Sequence, residues 1–385
     1  MNQINVDHLT PNLNAAASGN VVLPVIPANL QMDDVQTAFL AMPEQGNRQY
    51  YACPTPPTDP AGLLESHFKG VASFADKLIF THTNLDPCWD PSAPSADGKY
   101  LIGDIVGSGG QGEIDEVGDT APSGWPHPCA AQACGSFMAM GIQKSASGSG
   151  SDASEIQVYD LRDCLLGQPI TVLGTIERPE DGINGVGMTK EAGPDGKYLI
   201  AGVNGRVLTV YRSTTSTLVP WGATKFVQVL KVCDFPASGA GLALITQTHG
   251  GVFLVSLNAD DDGANSRIGL FKLDLDATPP ACIPLLKKEM NIPGMSDSLT
   301  ILEAYLDAQP LWGPVLGGLL KLGSNLLNSS FRWGKGLSIT SAASMEIYAT
   351  DRNVVPLSHL PDSGSKKDFS VVVWASSPTP PRRGK

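Results

Sequence analysis

Gly239–Leu257 reads GAGLALITQTHGGVFLVSL. Small residues alternate with apolar ones in its first half, a turn falls at 248–251, and a strongly apolar run closes it. The same unit recurs as SHFKGVASFADKLIFT from Ser66, PHPCAAQACGSFMAMGI from Pro126, INGVGMTKEAGPDGKYLIAG from Ile183 and SFRWGKGLSITSAASMEIYAT from Ser330. The first four copies start 60, 57 and 56 residues apart and the last a further 91. A period of this length is the mark of a repeat architecture. Small residues in each leading strand suit a crowded axis on which several such strands converge.

Short β-type runs fill the space between these starts: Lys77–Thr81, Lys99–Val106, Phe137–Ile142, Glu155–Leu161, Lys197–Val203, Val207–Arg212, Val252–Leu257 and Ile268–Leu275, then Leu337–Thr340, Met345–Thr350 and Phe369–Trp374. Each is bounded by Gly, Pro, Asn, Asp or Ser, the pattern of antiparallel strands joined by hairpins. Asp97-Gly98 and Asp195-Gly196 both precede Lys-Tyr-Leu-Ile, two hairpin turns opening onto the same strand start. Outer strands such as EIQVYDLRD, RVLTVYRS and RIGLFKLDLD follow.

The pattern resembles a β-propeller. Five blades are visible between residues 66 and 376, with six as the alternative count, and residues 20–60 are expected to supply strands that close the ring beside the last blade. SMEIYAT and EIQVYDLRD resemble strands of poorly characterised bacterial propeller proteins, a likeness that carries a fold and no activity. The expected fold class is therefore all-β. The expected organisation is a tail over 1–20, one propeller domain over 21–376 and a flexible tail over 377–385. Ser145–Ser154 reads as a flexible loop. Residues 298–328, apolar, lightly charged and broken by Pro310 and Pro314, read as two short helices inserted between blades, packed on a face of the ring or closing over its opening.

Composition narrows the function classes. The chain has 385 residues, 42% of them hydrophobic, with 41 Gly and 30 Pro, so it can bury a large core between many turns. A net charge of −12 repels phosphate backbones and argues against a nucleic-acid partner. No segment has the length and apolarity of a membrane span, so no membrane partner is expected. Met1–Asn20 lacks a basic start and an apolar core of signal-peptide type, and seven irregularly spaced cysteines suit reduced thiols, so a cytoplasmic protein is expected.

Candidate chemistry concentrates at the starts of the repeats. His67 and His127 each open a leading strand, Asn184 falls at the equivalent place in the third repeat, and Arg332 and Lys335 in the last. In a propeller these positions face one end of the axis, so five polar groups from four blades are expected to line one pocket for a small or anionic ligand. Arg332 and Lys335 would supply charge, and the histidines hydrogen bonds. The alternatives are an enzyme, a lyase, isomerase or hydrolase using His67 or His127 as base, and a protein-interaction scaffold with an inert axis. No cofactor and no metal are expected, and the oligomeric state stays open.

Other motifs fail on chemistry. His127, Cys129 and Cys134 have zinc-type donors, but Cys134 has the wrong strand parity. Gly107–Gly112 matches a dinucleotide fingerprint without the helix that would take the pyrophosphate. Asn258–Gly263 resembles half a calcium loop, yet its twelfth position is Gly269. Five-bladed propeller glycosidases carry acids on their inner strands, whereas the leading strands here start without one apart from Glu65. No GxSxG is present.

Overall fold

The computed structural model describes residues 31–54, 66–83, 97–107, 109–120, 122, 124–144, 153–179, 181–237, 241–297, 299–300, 328–355 and 367–376. The chain enters through a short helix, α1 (Val35–Ala41). Asp34 caps it by accepting from the Thr37 amide at 3.0 Å. Val35, Ala38 and Phe39 bury its inner face. Residues 20–60 are expected to supply strands beside the last sheet; Asn47–Ala52 does so, whereas Val35–Ala41 is a helix. The i, i+3, i+4 spacing of Val35, Ala38 and Phe39 decides for the helix.

Strand β1 (Asn47–Ala52) follows, and the rest of the described chain is built from antiparallel meanders. The first comprises β2 (His67–Phe74), β3 (Lys77–Thr83), β4 (Lys99–Asp104) and β5 (Gln111–Asp119). The second comprises β6 (His127–Cys134), β7 (Phe137–Gln143), β8 (Ser154–Asp160) and β9 (Thr171–Arg178). Next come β10 (Gly185–Lys190), β11 (Tyr198–Asn204), β12 (Val207–Ser213) and β13 (Phe226–Val232). The fourth meander is β14 (Gly241–Thr246), β15 (Val252–Asn258), β16 (Arg267–Asp274) and β17 (Ala281–Glu289). The last is β18 (Ser330–Ser341), β19 (Ser344–Thr350) and β20 (Phe369–Ala375), and β1 pairs antiparallel with β20 as its fourth strand.

The meanders touch through their leading strands. A single parallel pair, Lys335 with Gly70, links β18 to β2, and Gly185 with Ala130 links β10 to β6. At the outside, β1 and β5 pair in parallel over three residues, so the first and last meanders close into one eight-stranded ring. The result is an all-β fold of strongly curled sheets. Close approach at the centre requires glycine: a Cβ on Gly187 would lie 2.9 Å from the Leu244 amide nitrogen, and one on Gly336 would collide with the Val71 carbonyl.

The leading strands β6, β10 and β14 are buried almost throughout, whereas β5, β9, β13 and β17 are mainly exposed or half-buried. Hydrophobic clusters fill each gap between neighbouring sheets. Phe74, Tyr100 and Met140 join the first and second, Val158, Ile183 and Ile200 the second and third. Leu208, Leu244 and Phe271 join the third and fourth. Phe39, Val255, Ile347 and Trp374 join the fourth and last, and Tyr51, Phe80 and Phe369 return to the first.

The two Lys-Tyr-Leu-Ile copies do not occupy equivalent places. One begins β4, third in its meander, and the other β11, second in its own. The expected insertion over 298–328, the loop over 145–154 and the two tails lie outside the described residues, apart from 153, 154, 299, 300 and 328. Among the described residues no helix is long and apolar enough to cross a membrane, and six cysteines are free thiols.

Candidate functional site

Three leading strands carry a register break near their start. In β2 the partner sequence skips Lys69, so Phe68 faces His82 and Gly70 faces Thr81. In β6 the break falls between Pro128 and Ala131, and in β18 between Ser330 and Lys335. The leading strands β10 and β14 pair with their neighbours without a break. A bulge re-aims the side chains around it. In a regular strand Arg332 and Lys335 would point to opposite faces; the excursion over 331–334 removes that parity.

The result is a compact cluster of rings and cations. The His67 and His127 rings lie edge to face with centroids 6.2 Å apart, and His67 meets Trp333 at 5.4 Å. The guanidinium carbons of Arg332 and Arg352 each lie 4.8 Å from the Trp333 ring centroid, a cation on an aromatic face in both cases. The Trp333 indole N–H is buried and has no hydrogen-bond partner among the described residues. His127 is buried, and with the Gln143 amide correctly oriented its nitrogen donates to His127 Nδ1 at 2.9 Å. That bond leaves the imidazole proton on Nε2. The same amide holds Ile183, and the Cys129 thiol donates to the Ile183 carbonyl at 2.7 Å.

Among the described residues of this cluster the charge is of one sign. Burial, then the neighbouring Lys69 and Arg332, pull the Lys335 ammonium down to about 7. Lys69 is lowered by burial and by Arg332 and Arg352, with Cys129 opposing. His127 is held well below its ordinary value by burial and by Lys69. Burial raises the Cys129 thiol to about 12 in spite of Lys69, Lys335 and Arg178, so it stays protonated. Among the described residues Lys69, Arg332 and Lys335 form no ion pair with a carboxylate. In a chain of net charge −12 that is a local inversion of sign.

Of the five residues expected at the axis, His67, His127, Arg332 and Lys335 share this cluster. Asn184 precedes β10, where its amide donates to the Val203 carbonyl at 2.7 Å; no hydrogen bond of its side chain reaches the other four among the described residues. Sequence reasoning missed Lys69, Trp333 and Arg352. Lys69 was visible as a lone cation inside an otherwise apolar strand, and Trp333 as the residue between Arg332 and Gly334. Arg352, in the turn after β19, had no signal.

His127 Nδ1 and Cys129 Sγ are 4.0 Å apart, and among the described residues no group of three or more His, Cys, Asp or Glu side chains could hold a metal. The glycine-rich loop runs into β5 rather than into a helix. Asp260, in the half calcium loop, is engaged by Arg267 at 2.8 Å and Asn265 at 2.7 Å.

No protein-family model and no curated protein matches the chain. Among solved structures it is similar to the α-L-arabinofuranosidase Arb93A from Fusarium graminearum, at 12% identity and a TM-score of 0.41, covering 86% of this chain and 98% of that one. It is also similar to a Bombyx mori GH32 β-fructofuranosidase, at 9% identity and a TM-score of 0.41, covering 86% of this chain and 63% of the other. These neighbours are glycoside hydrolases, and no activity is carried over from them.

Proposed function

We propose that the chain is a single-domain propeller of five four-stranded blades that binds a small anion at one end of its axis. The carrying observation is the convergence of Lys69, Arg332 and Lys335 without an ion-paired carboxylate among the described residues. Desolvated like charges raise the folded state's free energy, and an anion that takes them as partners relieves it. Arg332 offers a planar fork for two oxygens. The Trp333 indole N–H and the Nε2–H of neutral His127 supply uncharged donors.

An enzyme working from the same site would rely on Lys335 rather than on His127. A histidine held well below its ordinary value is a poor base near neutrality. The amine at about 7 is matched to that pH. The cationic lining is the opposite of the paired carboxylates that sugar hydrolysis uses.

The test is thermal unfolding at low ionic strength with phosphate, sulfate, small carboxylates and neutral disaccharides. A bound anion at 100 times its Kd should add about 2.7 kcal/mol, and Arg332→Gln should remove most of that gain. Stabilisation by the disaccharides but by none of the anions would overturn the reading.

A further inference from the structure

Lys335 sits in β18 with 4% of its surface exposed. Among the described residues its amine has neither a hydrogen bond nor an ion pair. Its stem is clamped from the neighbouring blade: a Cβ on Gly241 of β14 would meet Cγ, Cδ and Cε of Lys335, so only glycine leaves the chain its path. Its backbone is pinned by the pair with Gly70, next to Lys69. An amine with a fixed stem, no partner and cations around it is built to meet something other than a proton.

We infer that Lys335 is a nucleophilic amine that forms a Schiff base with a small carbonyl compound bearing a carboxylate, the 2-oxo acid class. The inference rests on the anion-site reading, which supplies the hold on the carboxylate through Arg332 and the Trp333 N–H. The Lys335 nitrogen lone pair attacks the carbonyl carbon, a C–N bond forms, and the carbonyl electron pair moves to oxygen. That oxygen takes up the amine's protons and leaves as water, so amine and ketone become imine and water with no change of oxidation state. An amine that titrates at about 7 is half neutral at pH 7, whereas an ordinary lysine at about 10.4 is neutral in roughly one molecule in 2,500. Cys129 does not compete, because its thiol is held at about 12.

The experiment is reductive trapping on the full chain with pyruvate and cyanoborohydride at pH 7, read by intact mass and peptide mapping. One carboxyethyl group on Lys335 is expected, formed at least about tenfold faster than on the average lysine, slowed by excess phosphate and faster than the adduct from acetone. Lys335→Arg should lose the adduct, with its circular dichroism as the control for folding, and phosphate binding is followed on the unsubstituted chain. Phosphate binding with label scattered over surface lysines, or lodged on Lys69, would overturn the Schiff base and leave the anion site standing. Labelling of Lys335 that phosphate does not slow and acetone matches would keep the amine and overturn the carboxylate class. Neither phosphate binding nor a Lys335 adduct would overturn both.

Discussion

Lys335 and His82 are two buried bases whose protonation works against folding in different pH windows. The folded-state value of Lys335, about 7, lies below the unfolded value of about 10.4. Between those values the unfolded chain holds more protons, so this residue's contribution to stability rises as pH rises from 7 to 10 and is unfavourable at pH 7. Lys335→Met, which keeps the stem, should therefore raise urea stability at pH 7, by about 1–4 kcal/mol, and abolish the phosphate-dependent gain. A less stable variant would mean that the ammonium already has a partner. His82 is fully buried, with Nε2 2.7 Å from Asn353 Oδ1, and burial pushes it down to about 4. Its folded value lies below the unfolded 6.5, so its contribution is intact above pH 6.5 and is lost as pH falls to about 4, by roughly 3 kcal/mol. Urea unfolding of the parent and His82→Gln at pH 7.5 and 4.5 checks this: the variant should lose less on acidification, and equal losses would remove His82 as the cause.

At the scale of elements, β1 ties the last meander to the first. Its Arg48 is buried against Asp351, at 3.4 Å, and Ser329, at 2.7 Å, and also meets Ser370, so β1, β20 and the entry to β18 share one network. Burial raises the Asp351 carboxyl, and Arg48 pulls it back down. Arg48→Met should cost about 3–5 kcal/mol in urea unfolding, because Asp351 would be left buried without its cation; a loss under about 1 kcal/mol would show the network to be dispensable. The leading strands were legible because small residues before a tight turn are a local signal: the repeats begin at 66, 126, 183, 239 and 330, and the strands at His67, His127, Gly185, Gly241 and Ser330. What decided the rest was not local. The same Lys-Tyr-Leu-Ile starts a third strand in one sheet and a second in another, since a strand start carries no record of its partners. Lys69 and Trp333 enter the site through bulges, which no parity rule anticipates. The helix at Val35–Ala41 is held by the gap it fills between the fourth and last sheets.

A chain of net charge −12 holds a cluster of cations where β2, β6 and β18 meet. Apolar clusters occupy every gap between neighbouring sheets and fix the leading strands against one another, so charges far apart in sequence, at Lys69 and Lys335, are held together by packing rather than by pairing. The fold class was readable from the repeat, and the cationic cluster only in part: Lys69 stood out as a lone cation in an apolar strand but reaches the cluster through a bulge, and Arg352 had no signal. The most direct measurement of that centre is anomalous diffraction from crystals soaked in tungstate, an electron-dense anion with four acceptor oxygens. One strong peak is expected within hydrogen-bonding distance of Arg332, Lys335 and Lys69. No peak there, with an aspartate or glutamate side chain turned in to pair those cations, would contradict it.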